Sequence, residues 1–146
     1  MTINIDLDLE ELKNVVNELN QKHPRPNLNL EVLGLVNIFK ENYITCGEMA
    51  GVYVVFNMER KIIYVGKAPG TYNGRLIKMN RIQKNSQSEG FHFVEDSFIS
   101  NEAQYFAFIP IPVDIAFEGA SIEEFIVRKI KPRLNKYKAN DVVIIY

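Results

Sequence analysis

Two β-rich runs stand almost back to back in this chain. Val52-Tyr53-Val54-Val55-Phe56 is followed by Lys61-Ile62-Ile63-Tyr64-Val65, with only Asn57 to Arg60 between them. β-branched and aromatic side chains favour pleated, packed strands, and a polar break this short predicts a tight antiparallel hairpin. The rest of the chain has to be organised around that hairpin.

Upstream, Leu9, Leu12, Val15, Val16 and Leu19 recur at steps of three and four, which predicts an amphipathic helix over 4–21 with Asp6 or Asp8 as its cap. His23-Pro24-Arg25-Pro26-Asn27 breaks it, because each proline restricts the residue before it. Residues 28–40 are apolar again, with Leu30, Leu33 and Val36 along them, and read as a second helix; 41–49 reads as a connector. Downstream, 72–84 reads as a helix with Leu76, Met79 and Ile82 on one side and Arg75, Lys78 and Arg81 as a basic ridge beside them. The polar stretch 85–103 reads as a loop, 104–111 as a third strand ending near Pro110, and 118–130 as a helix stopped by Pro132. The apolar tail Val142 to Ile145 reads as a short added strand or a packed terminus. The expected fold is a small α/β domain of the α+β type. It has a three-stranded, mostly antiparallel sheet flanked by helices over 50–146, and an N-terminal helical extension over 1–49.

At 146 residues with 47% apolar side chains, the chain can bury a core of its own. Cys46 is the single cysteine, so an internal disulfide and a cysteine zinc cluster are both excluded. The N-terminus carries Asp6, Asp8 and Glu10 with no basic region ahead of an apolar stretch, and the apolar runs are too short to span a bilayer. A soluble, cytoplasmic protein with no membrane partner is the expectation. Net charge is only -1, but the charges come in blocks. Residues 59–84 hold seven bases and one acid, and 128–138 hold six bases and no acid. Residues 85–127 between them hold eight acids and no lysine or arginine. Two outcomes stay open: the basic blocks meet as a positive surface, or they pair with the acids and serve solubility.

One ordered set of residues carries coherent chemistry. Gly51-Val52-Tyr53 and Tyr64-Val65-Gly66 lie on the two hairpin strands, Lys67 and Arg75 follow, and Glu123 precedes Pro132-Arg133-Leu134-Asn135. In this order and spacing the set resembles the GIY-YIG nuclease superfamily, over roughly residues 50–137, with valine for isoleucine in both short blocks. The resemblance implies that Arg75 stands for the family's catalytic arginine, Glu123 for its metal-binding glutamate and Asn135 for its asparagine. Where many members carry a histidine four residues after the arginine, this chain has Met79. Lys78 or Tyr72 is then left to supply a neighbouring function, or the chemistry is slowed or lost.

The resemblance implies a metal-dependent endonuclease acting on DNA, of restriction, repair or mobile-element type. Glu123 would hold one Mg2+ or Mn2+ whose remaining positions are filled by water. Arg75 would meet the non-bridging phosphate oxygens where charge develops. Tyr53 would serve as base or water-positioner, with Tyr64 bonding phosphate or water. Lys67 would favour the phenolate or bind phosphate, and Asn135 would hold the site together. Lys67, Lys78, Arg81, Lys84, Arg128, Lys131 and Arg133 are the candidate phosphate contacts. Homodimerisation is left open, since a single site cuts one strand at a time.

Each residue also has a plainer reading. Strand tyrosines usually pack with a bonded hydroxyl, and helix arginines usually face water. Ser121 and Glu124 have capping-box spacing, which would assign Glu124 a structural job and leave Glu123 over for a ligand. The competing function is a non-catalytic nucleic-acid-binding or complex-forming module on the same scaffold. A third is a protein-interaction domain with no nucleic-acid partner.

Overall fold

The computed structural model describes residues 6–26, 28–37, 50–68, 70–72, 75–77, 82–84, 91–93 and 102–135. Helix α1 (Leu7–Lys22) buries the expected face: Leu9, Leu12, Val15, Val16 and Leu19. Asp6 stands at its N-cap position but makes no side-chain cap bond. Its carboxylate instead takes the Arg60 guanidinium at 2.9 and 3.1 Å. Asp8 accepts the Ile62 N–H at 2.7 Å. Both acids thus tie the start of the helix to the hairpin rather than to the helix's own backbone.

The hairpin forms as its composition demands. Strand β2 (Gly51–Phe56) pairs antiparallel with β3, whose bounds are Ile62–Ala68, in the register Tyr53↔Gly66 and Val55↔Tyr64. The Asn57 side chain braces the turn, accepting the N–H groups of Glu59 at 3.0 Å and Lys61 at 2.9 Å. Arg60 takes a left-handed conformation at φ 63 to close it.

Three expectations are corrected. The described part of the region 28–40 is not a second helix: Leu33–Asn37 is a strand, β1. Gly34, which weakens a helix, is what this strand needs, because its φ is +134 and a Cβ there would stand 3.0 Å from the Ala107 Cα and the Phe106 carbonyl oxygen. The described part of the region 72–84 is not a helix either. It contributes to two small hairpins: β4 (Gly70–Tyr72) with β5 (Arg75–Ile77), and β6 (Ile82–Lys84) with β7 (Phe91–Phe93). Tyr72 pairs with Arg75 across Asn73-Gly74, the dipeptide that most strongly signals a tight hairpin and that apolar periodicity passes over. Strand β7 also falls inside the stretch read as loop.

The third correction is the sheet itself. It has four strands, all antiparallel, in the order β1-β8-β2-β3, with β8 at Tyr105–Pro110. The expected three-stranded sheet gains its fourth strand from the N-terminal region, because the side of β8 away from β2 is open to pairing and β1 fills it. The connector 41–49 and the tail 141–146 lie outside the described residues.

Helix α2 (Gly119–Ile130) follows a 3-10 segment, Val113–Glu118. The capping box is not formed, since the helix begins two residues before Ser121. Glu124 instead pairs one turn ahead with Arg128. Lys131 ends the helix in the left-handed region, its N–H reaching the Val127 carbonyl at 2.8 Å, and Pro132 prevents resumption.

Strand alternation divides the apolar residues between the two sheet faces. Val52, Val54, Phe56, Val65, Ala107 and Ile109 face α1 and, from α2, Ile122 and Ile126. Tyr53, Val55, Tyr64, Phe106 and Phe108 lie on the opposite face with Ile63 and Ala103. Both helices therefore cover one face. No helix among the described residues is long and apolar enough to cross a membrane.

Candidate functional site

Tyr53 and Tyr64 come together because of register. Tyr53 is paired with Gly66 and Val55 with Tyr64, so the two tyrosines are diagonal neighbours on one sheet face. Their ring centroids are 6.2 Å apart with a 40° tilt. Gly66 makes this arrangement possible, since a Cβ there would fall 2.3 Å from the Tyr53 ring and 2.4 Å from its hydroxyl. Tyr53 lies across its cross-strand glycine, and that contact links the first short motif to the second. Both tyrosines are only 3% exposed.

Asn135 is brought to the same strand from the other end of the sequence. It lies in a short 3-10 turn (Arg133–Asn135) and is completely buried. Its Oδ1 accepts the Val65 N–H at 2.7 Å and its Nδ2 donates to the Val65 carbonyl at 2.8 Å. The side-chain amide copies the ladder bonds that a further strand would make at the β3 edge. Leu134 beside it packs with the tyrosine cluster, so this turn wraps the edge of the sheet.

Glu123 is nearly buried, at 9% exposure, on α2. That helix packs its Ile122 and Ile126 against the face opposite the tyrosines, and Glu123 is the neighbour of Ile122 in the chain. Lys67 pairs with Val52, so alternation places it on the helix-covered side of the sheet, exposed near the end of β3. Arg75 stands on β5 opposite Tyr72, not on a helix. Lys84 is on β6 opposite Phe91, while Lys78, Met79 and Arg81 lie outside the described residues. The structure thus joins Tyr53, Tyr64, Gly66 and Asn135 along one hairpin strand pair, and sets Glu123 and Lys67 on the other side of the sheet.

The second basic block is already neutralised in part. Arg128 bonds Glu124, Lys129 bonds Glu18 of α1 at 3.0 Å, and Arg133 bonds Glu102. Lys131 is exposed. Of these carboxylates only Glu124 stood out in the sequence, as a capping-box partner of Ser121 rather than of Arg128. The i,i+4 spacing of Glu124 and Arg128 was legible, whereas Glu102 and Arg133 are 31 residues apart and only the fold joins them.

The Glu123 carboxylate is a single hard oxygen donor, of the kind that Mg2+ or Mn2+ would take. No group of three or more His, Cys, Asp or Glu side chains suited to a metal occurs among the described residues. No family model, curated protein or solved structure matches this chain.

Proposed function

We propose that the protein is a divalent-metal-dependent endonuclease that hydrolyses phosphodiester bonds in DNA, working in the cytoplasm. What carries the reading is the seating of Tyr53 over Gly66 beside Tyr64. The two short motifs meet there in one structural unit, and Asn135, the last member of the ordered set, holds the same strand. In this reading Glu123 holds one Mg2+ or Mn2+, which supplies positive charge to the scissile phosphate. Arg75 presents its donors to the non-bridging oxygens. Tyr53 orients or deprotonates the attacking water, with Tyr64 bonding phosphate or water. Lys67 and Lys84 add positive charge toward the phosphate backbone, together with Lys78 and Arg81. Asn135 keeps β3 in place.

A second reading, a nucleic-acid-binding or complex-forming module without catalysis, is favoured by two observations. Both tyrosines are packed away from solvent, and α2, which carries Glu123, packs on the other face of the sheet from them, as does Lys67 by alternation. Cleavage assays separate the two. The nuclease reading expects Mg2+- or Mn2+-dependent cutting of DNA that falls by about 10²–10³-fold in Arg75→Ala and in Glu123→Ala. Salt-sensitive DNA binding without cutting of any DNA or RNA by the wild-type protein, with either metal, selects the binding module.

A further inference from the structure

We draw no further inference here: the strongest candidate, the exposed side chain of Phe117 on the 3-10 segment Val113–Glu118 ahead of α2, is a single apolar group, and nothing in the structure shows what covers it.

Discussion

Asn135 shows how one side chain can replace a strand. Its amide satisfies both the N–H and the C=O of Val65 in a fully buried position. Asn20 does the same for Leu30, accepting its N–H at 3.0 Å and donating to its carbonyl at 2.9 Å. Removing such a side chain leaves two backbone groups without partners away from water, so Asn135→Ala is expected to cost about 2–4 kcal/mol in urea unfolding. The Tyr53–Gly66 contact makes a sharper prediction. Gly66→Ala has to displace the tyrosine ring and should destabilise by about 1–3 kcal/mol. Tyr53→Phe keeps the ring over the glycine, so Gly66→Ala should be as costly in that background. Tyr53→Ala opens the space, and there the cost should largely vanish. Equal costs in all three backgrounds, read from urea midpoints, would remove Tyr53 as the reason for the glycine. The motif spelling was readable in the sequence; that the glycine serves the tyrosine was not, because the link depends on cross-strand register.

At the scale of elements, α1 is joined to its neighbours by packing and by charge. Its apolar stripe was plain from the spacing of Leu9, Leu12, Val15, Val16 and Leu19, since a period near 3.6 puts them on one face. The polar attachments were not plain, because Asp6, Asp8 and Glu18 bond residues more than fifty positions away, apart from the Glu18–Lys22 pair. The hydrogen bond from Lys22, then that from Lys129, hold the Glu18 carboxyl below its ordinary value of 4.5. A carboxyl whose folded value is depressed contributes stability that is full above the unfolded value and disappears as pH falls through the folded one. Glu18→Gln should therefore melt lower than wild type by a constant margin above about pH 5, and the margin should close as the pH drops below 4.5. A margin that stays unchanged down to pH 3 would show that the ion pairs are not its source. The expectations that failed at β1 and at the β4–β5 hairpin share one cause: short apolar segments fit a strand and a helix equally well, and at β1 the positive φ of Gly34 suits the strand.

On the scale of the whole molecule, the N-terminal region belongs to the core it covers. α1 lies in the same apolar cluster as Val52, Val54, Ile109, Ile122 and Ile126, and β1 completes the sheet beside β8. A chain starting at Ala50 would expose that face and leave the β8 edge unpaired. It is expected to lose cooperative thermal unfolding and to bind a hydrophobic dye such as ANS, whereas the full chain unfolds in a single transition. A truncated chain that melts cooperatively near the full-length temperature would show that residues 1–49 are dispensable to the fold. The wrap of Arg133–Asn135 around the β3 edge is a matter of the same scale, since it closes one side of the sheet with a segment from the end of the described chain.

Local chemistry alone determined the hairpin at residues 51–65, the apolar stripes of both helices and the stop at Pro132. Each depends on neighbours within a few positions, where periodicity and turn propensity act directly. Only the folded chain decided that a fourth strand comes from the N-terminal region, that both helices cover one face while the tyrosines occupy the other, and that acids from three places hold Arg128, Lys129 and Arg133. Those outcomes are set by which edges and charges remain unsatisfied once the hairpin has formed. Such demands are met by whichever segment the topology brings near, and spacing along the chain carries no record of it.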